Sequence, residues 1–422
     1  MSDPKKIIIV GMGDRSTIYS RESLVHPELF KIVGVVDINP ARVKVAQEMF
    51  DIPKEHCFTS IDDLVAVPKF ADGVINGTMD QLHVATSIPL LKAGYDILLE
   101  KPFALNQKEA DLLLNCVHET GRKVMICHVL RYTPFYRKIK EVLASGEIGD
   151  VINIQMSEEV SYFHESVSYI RGKYGSSRLC GSGMLLSKCS HDLDIMAWLM
   201  GDNKPTCVSS IGTTTQFKPE MAPEGAGTRC LLDCPVEREC QYSARRLYLE
   251  NPQRWANNVW FGLGSLSMEE KEHILSDLNN PFGRCVYRCQ QDIVDHQSVL
   301  IGFKNGATGT FSMTGGGTAS GRFIHITGTK GEIRGIFEDQ MFSVYKIDPT
   351  AEGGRIERKE VLEKTDAHGG GDQEVIKDFV ALLAGEKVSP CCTSIDDSVT
   401  GHKIVYLAED SRLAGGQIQR YN

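Results

Sequence analysis

Along the first 130 positions the apolar residues come in short unbroken runs. Ile7-Ile8-Ile9-Val10, Ile32-Val33-Gly34-Val35-Val36, Gly73-Val74-Ile75-Asn76-Gly77-Thr78, Asp96-Ile97-Leu98-Leu99-Glu100 and the stretch Val124 to His128 are each a candidate strand. Continuous β-branched and aliphatic runs are expected of parallel strands covered on both faces. Helical patterns fall between them: one after Gly13 through Ser23, one from His83 to Ala93 closed by Gly94, and one from Gln107 to Thr120. This rhythm predicts an α/β fold with a doubly wound parallel sheet over residues 1–129. Ligands of such sheets gather at the carboxyl ends of the strands, where Thr78, Asp80, Glu100, Lys101 and His128 fall.

From residue 130 to 422 the pattern changes. Met184 to Met200 reads as a helix stopping at Gly201, a natural left-handed terminator. Val294 to Phe303 and Ala307 to Met313 flank Asn305-Gly306, a hairpin signal. Arg322 to Gly328 and Gly331 to Phe337 form a second hairpin around Thr329-Lys330-Gly331, and Met341 to Ile347 adds a strand. The polar, glycine-rich stretch from Thr350 to Gly371 reads as a surface loop, and Glu374 to Leu383 and Ser398 to Arg412 as amphipathic helices. No internal repeat is present.

The length of 422 residues fits two or three domains. Hydrophobic content of 42% and charged content of 24% are those of a globular chain, which excludes long-range disorder and fibrous classes. A net charge of −9 argues against a nucleic-acid or anionic-membrane partner. No run of about 18 apolar residues suggests a membrane span. Met1-Ser2-Asp3-Pro4-Lys5-Lys6 lacks the apolar core of a signal peptide. The expectation is a soluble, cytoplasmic protein, and thirteen cysteines spread along the chain do not read as a secreted disulfide framework.

Gly11-Met12-Gly13-Asp14-Arg15-Ser16 sits between the first strand and its helix, and Asp37 ends the second strand 26 positions after Gly11. Glycines there permit a tight turn and close backbone approach to a pyrophosphate on the helix N-terminus. An acid at the end of the second strand is placed for the adenosine ribose hydroxyls. Ser16 stands where Gly or Ala is usual, yet is small enough to preserve helix–strand packing. Asp37 would repel a ribose 2′-phosphate, so NAD is expected over NADP, a preference that nearby Arg42 could soften.

The glycine turn, Thr78-Met79-Asp80 with His83, and Glu100-Lys101-Pro102 ending a strand occur in order. Together with Arg131-Tyr132-Thr133-Pro134 and the run Gly183 to Asp194, they make the chain resemble the glucose–fructose oxidoreductase, inositol dehydrogenase and MocA-like (Gfo/Idh/MocA) family. The resemblance spans the whole chain except an insertion near residues 219–290. It implies a C-terminal α+β domain on an open, mostly antiparallel sheet whose exposed face makes a homodimer or homotetramer. It implies hydride transfer between a nicotinamide and a sugar, polyol or glycoside. It adds Thr78, Asp80, His83, Glu100 and Lys101 to Gly11, Gly13, Asp14, Arg15, Ser16 and Asp37 as the cofactor-binding set.

Removing a hydride from a carbinol carbon requires a base for its hydroxyl proton, and a histidine is suited to that task near neutral pH. The resemblance gives this work to His191 and Lys101, with Asp194 orienting the imidazole or binding substrate. Ser187, His191 and Asp194 share one helix face. Inositol-dehydrogenase-like members carry an aspartate where this chain has Ser187. The relay is therefore incomplete or is replaced by Lys188, whose alternative role is an ion pair with Asp192. Arg131, Tyr162, Tyr169 and Arg171 come from segments that border the substrate pocket in the family.

The insertion carries Cys230, Cys234, Cys240, Cys285 and Cys289, with C-x3-C-x5-C and C-x3-C spacings. Four thiolates would make a closed structural zinc site. Cys230, Cys234, Cys240 and Cys289 are the candidate ligands, with Cys285 as substitute, and an iron–sulfur cluster, plain thiols or a disulfide are the alternatives. Two further functional readings stand beside the dehydrogenase. One is a redox-neutral NAD-dependent glycosidase or lyase working by transient oxidation and elimination, and the other is a non-catalytic ligand sensor.

Overall fold

The computed structural model describes residues 3–252, 254–260, 262–363 and 370–422. The first sheet contains β1 (Lys5–Val10), β2 (Phe30–Val36), β3 (Cys57–Phe58), β4 (Gly73–Asn76), β5 (Asp96–Leu99) and β6 (Val124–Ile126). Its order is β3-β2-β1-β4-β5-β6, and every pairing is parallel. The order reverses between β1 and β4, which opens a crevice above their carboxyl ends. β1, β4 and β5 end in fully buried residues, as their unbroken apolar runs require.

The second sheet has nine strands: β7 (Val151–Ser161), β8 (Pro205–Thr213), β9 (His296–Phe303), β10 (Thr308–Gly317), β11 (Phe323–Gly328), β12 (Gly331–Ile336), β13 (Met341–Ile347), β14 (Arg355–Val361) and β15 (Gln419–Arg420). They lie in the order β14-β13-β12-β11-β7-β10-β9-β8-β15. Only β7 and β10 run parallel, so the sheet is mostly antiparallel as expected. One face packs on the helix Met184–Met200, through Leu193, Met196 and Leu199 against Ile154, Phe311 and Ile301. Residues 355–361, expected in a loop, instead form the outer strand β14. Residues 364–369 of that expected loop lie outside the described residues.

The chain returns to its beginning. The helix Gly371–Ala384 covers one face of the first sheet, with Phe379, Ile376 and Val375 clustered against Ile7, Ile9 and Ile75. A methyl group on Gly73 would lie 2.9 Å from both Phe379 and Leu383 side-chain atoms, so the helix meets β4 almost at its backbone. The helix Ile395–Leu413 packs against Met184–Met200 and contributes Ile395 to the core on the other face of the first sheet. Between β8 and β9 the insertion contains short helical turns and one nine-residue helix, Met268–Ser276, opened by a Ser267/Glu270 capping box.

Candidate active site

The turn after β1 is built for close approach. Gly11 has φ +80°, and a Cβ there would lie 2.9 Å from Gly77 O and from Thr78 backbone atoms. Gly13 forms the N-cap of the helix Asp14–Val25, leaving its first N–H groups pointed into the crevice. Asp37 is buried at the end of β2, where Oδ2 accepts from Met12 N at 2.8 Å and Oδ1 from Asn39 N at 2.8 Å. Arg42 stands 3.9 Å from Asp37, as its position in the sequence suggested. Ser16 is fully buried against Gly77, where an added Cβ would come 2.1 Å from Ser16 Oγ. Helix–strand contact thus survives the serine because the opposing residue has no side chain. The glycine cradle, the helix terminus and the acid fit a dinucleotide.

Arg15 does not point at that cradle. Its Nε donates to Glu100 Oε1 at 3.0 Å and its Nη2 to Asp372 Oδ1 at 2.5 Å and to Tyr19 OH. Glu100 also accepts from Tyr19 OH at 2.8 Å and from Lys101 N at 3.0 Å. Burial alone would raise the Glu100 pKa, but Arg15, Lys101 and these hydrogen bonds take it below its ordinary value. The pair expected to touch cofactor therefore joins the glycine-turn helix to the Lys101 loop and to the helix Gly371–Ala384. His83 has a comparable role: its ring nitrogens face Pro102 O at 2.7 Å and Thr78 O at 3.2 Å, tying two strand-end loops together. Thr78 Oγ1 donates to Asn76 Oδ1 at 2.9 Å, and Asp80 accepts from Ser182 Oγ at 3.2 Å. Asp14 lies in the first helical turn.

Lys101 crosses from the first domain to the helix of the second. Its Nζ donates to the carbonyl oxygen of Ser187 at 2.8 Å. Burial lowers its pKa, against the pull of Glu100 and Asp80, and Lys188 lowers it further. Ser187 Oγ bonds back to Gly183 O at 3.0 Å, leaving its carbonyl to the lysine. His191, one turn on, lies 5.8 Å ring to ring from His128 in an edge-on contact.

Asp194 is engaged elsewhere. Arg131 grips it with two bonds, Nε to Oδ2 at 2.7 Å and Nη2 to Oδ1 at 2.6 Å, and both residues are buried. Asp194, expected in catalysis, and Arg131, expected in substrate binding, form a buried ion pair that clamps the second domain's helix to the segment after β6. The sequence could place Asp194 on the His191 face but could not show that an arginine 63 residues earlier takes its carboxylate. Lys188 likewise does not pair with Asp192. It reaches Glu158 Oε1 at 2.8 Å, while Arg322 bridges Glu158 and Asp192 at 2.6 and 2.9 Å.

Arg171 lies outside the crevice. Its Nε donates to Arg284 O at 2.7 Å, Nη1 to Tyr248 OH at 3.0 Å and Nη2 to Tyr242 O at 2.7 Å, which pins it inside the insertion. Tyr162 packs its ring on Phe163 and Tyr242, and Tyr169 packs on His164 and Tyr174.

The expected zinc or iron–sulfur site is not formed. Cys230, Cys234, Cys240 and Cys285 line one narrow cavity, but Arg171 Nη2 sits 3.4 Å from Cys230 Sγ and Cys289 Sγ donates to Cys285 O at 3.2 Å. A fixed guanidinium among the sulfurs opposes a second cation. Among the described residues no group of three or more His, Cys, Asp or Glu is placed to hold a metal ion. All thirteen cysteines are free thiols.

Three groups near the helix face went unassigned in the sequence. His128 is buried at the end of β6, 3.5 Å from Asp194, and burial beside Arg131 and Lys101 holds its pKa well below the usual histidine range. His402, on the helix Ile395–Leu413, accepts from Phe103 N at 3.3 Å and packs edge-on to His128 at 5.6 Å. Glu165 is fully buried, and neither carboxyl oxygen has a hydrogen-bond partner among the described residues.

Comparison with known proteins agrees with this architecture. Residues 5–128 match the oxidoreductase family's NAD-binding Rossmann fold, and residues 140–394 match the same family's C-terminal alpha/beta domain. The oxidoreductase YteT of Bacillus subtilis is 25% identical over 402 residues, covering 89% of this chain and 88% of that protein. Inositol 2-dehydrogenase of Corynebacterium glutamicum is 25% identical over 207 residues, 48% of this chain and 56% of its own length. Levoglucosan dehydrogenase, solved with NADH and levoglucosan, has the same fold at TM-score 0.69 and 17% identity, with 99% of each chain covered. The WlbA dehydrogenase of Bordetella pertussis, solved with NADH and UDP-GlcNAcA, follows at TM-score 0.68 and 14% identity, over 100% of this chain and 99% of that one. No described helix is long and apolar enough to cross a membrane. The chain belongs to the Gfo/Idh/MocA family of NAD-dependent oxidoreductases, with its Rossmann domain first and its alpha/beta domain second.

Proposed function

We propose that this enzyme transfers a hydride between NAD and a hydroxyl or keto carbon of a sugar, polyol or glycoside in the cytoplasm. The observation that carries the reading is the Lys101 Nζ contact with Ser187 O, which fixes an ammonium from the end of β5 against the helix bearing His191. Gly11, Gly13 and the helix N-terminus would hold the pyrophosphate, and Asp37 the ribose hydroxyls. The bound nicotinamide supplies the hydride acceptor. Within this frame His191 takes the proton of the reacting hydroxyl, and Lys101 stabilises the negative charge developing on that oxygen. Support for a sugar or polyol comes from the substrates named for the relatives, inositol and levoglucosan.

The same residues support internal recycling of the cofactor, in which transient oxidation of a ring hydroxyl acidifies the neighbouring C–H and a leaving group departs. Ser187 favours that reading, because its hydroxyl bonds to Gly183 O and supplies no acid to His191. One experiment separates the two. Purified enzyme is incubated with free sugars, inositols and aryl glycosides, with and without NAD, while reduced nicotinamide and released aglycone are followed together. Absorbance rising with substrate loss establishes the dehydrogenase, aglycone release without net absorbance change establishes the recycling enzyme, and neither signal across the panel removes both.

A homodimer or homotetramer forms through the open face of the second sheet. Ile211, Leu300 and Ile347 are all at least 52% exposed there, apolar side chains of the kind that mark a contact site.

A further inference from the structure

The insertion contains a second cavity, remote in sequence from every residue of the crevice. Its volume is about 650 Å³, within the range of small-molecule sites. Lys218, Arg229, Arg284 and Arg288 line it, with Tyr287 and Gln290, and no acidic side chain contributes to the wall. Four cations facing one space in a chain of net charge −9 is an imbalance that requires a cause.

The backbone makes the imbalance sharper. Arg229 and Arg284 are partners in an antiparallel bridge, which sets two like charges opposite each other, an arrangement that destabilises a strand pair. Arg229 is only 6% exposed. Its terminal nitrogens donate to carbonyls, Nη2 to Asp277 O at 2.6 Å and Asn280 O at 2.7 Å, and Nη1 to Leu278 O at 3.2 Å. Carbonyls satisfy the donors without cancelling the charge, and Arg229 Nε has no partner among the described residues. Asp277 and Asp233 stand close enough to offset part of its charge. Lys218, Arg284 and Arg288 are exposed and form no ion pair among the described residues.

We propose that this cavity binds an anionic ligand of about disaccharide size, whose phosphate or carboxylate oxygens are taken by Lys218, Arg284 and Arg288. Guanidinium groups present forked donors matched to such oxygens. The occupant supplies the counter-charge that Lys218, Arg284 and Arg288 lack. The cavity shares no lining residue with the hydride-transfer centre, and the proposal does not depend on the substrate assigned there.

Calorimetric titration of the full-length protein tests this, with NAD held saturating so that the glycine turn is already occupied. The probes are inorganic pyrophosphate, digalacturonate and, as an uncharged control, maltose. Expected is binding of one or both anions that weakens as salt is raised. The double variant Arg284→Gln/Arg288→Gln should lose about tenfold or more in affinity while NAD binding and melting temperature stay unchanged. Pyrophosphate alone binding identifies a phosphoryl ligand, and digalacturonate alone identifies a uronate. Absence of binding by either anion at low salt overturns the proposal, as does equal binding of maltose or undiminished affinity in the double variant. The NAD titration itself reports on the cofactor site, so failure there is read separately.

Discussion

Lys101 Nζ and the carbonyl oxygen of Ser187 lie 2.8 Å apart, although 86 residues separate them in the chain. The contact joins the carboxyl end of β5 to the first turn of the helix Met184–Met200. It holds the ammonium one helical turn from His191, so the domain contact also sets the geometry on which the proposed proton chemistry rests.

Lys101→Met should therefore remove transition-state stabilisation rather than cofactor affinity. The expected loss in kcat is about 10²–10⁴-fold, the usual scale for a positioned proton-transfer or charge-stabilising group. NAD affinity, read by fluorescence titration, should change little. A Lys101→Met enzyme turning over at the normal rate would remove this residue from the mechanism.

Arg131 and Asp194 make the opposite kind of prediction. Asp194→Ala leaves a buried guanidinium without its carboxylate, at a cost of about 3–5 kcal/mol. Denaturant unfolding should show that loss directly. Replacing both residues with apolar ones should recover much of it, because no buried charge is then left alone. A stable Asp194→Ala protein with no activity would instead return Asp194 to the catalytic group.

Glu165 makes stability depend on pH. Burial first, then the nearby Asp295, push its carboxyl up to about 8, against the opposing pull of Lys188. The unfolded chain gives up this proton near pH 4.5, so the protonated form contributes fully below that pH. Its contribution is lost as pH rises through about 8. Melting temperature measured from pH 5 to 9 should fall toward the alkaline end, and Glu165→Gln should flatten that fall. An unchanged slope in the variant would assign it to other groups.

Gly11→Ala tests the cradle. The residue would be held at φ +80° with its Cβ 2.9 Å from Gly77 O and Thr78. Left-handed strain alone costs on the order of 1–3 kcal/mol. NAD binding should weaken by tenfold or more (about 1.4 kcal/mol), and unchanged affinity would place the pyrophosphate elsewhere.

Five of the six strands of the first sheet could be read from the chain because each is a short, nearly unbroken apolar run, whereas β3, two residues long, carries no such pattern. The second sheet was harder. Its central strand β7 runs VINIQMSEEVS, and the inward Glu158 breaks the apolar alternation because it faces Lys188 and Arg322 across the core. Local patterns also pointed to Lys101 and the His191 face, since those depend on strand ends and helix spacing. The partners of Arg131, Arg171 and Lys188 could not be read from the chain, for one shared reason. Their partners, Asp194, Tyr242 and Glu158, come from distant segments, and only the folded chain brings the charges together.

The helix Gly371–Ala384 lies against β1 and β4, and Asp372 completes the charge of Arg15. The first 130 residues thus carry all six strands of the Rossmann sheet but only part of the cover for one of its faces, since Tyr19, Val43 and Ala46 pack there beside Val375, Ile376 and Phe379. The burial of Ile7, Ile9 and Ile75 is completed only when some 250 further residues have been translated. The nucleotide-binding half is first to be made and among the last to be finished.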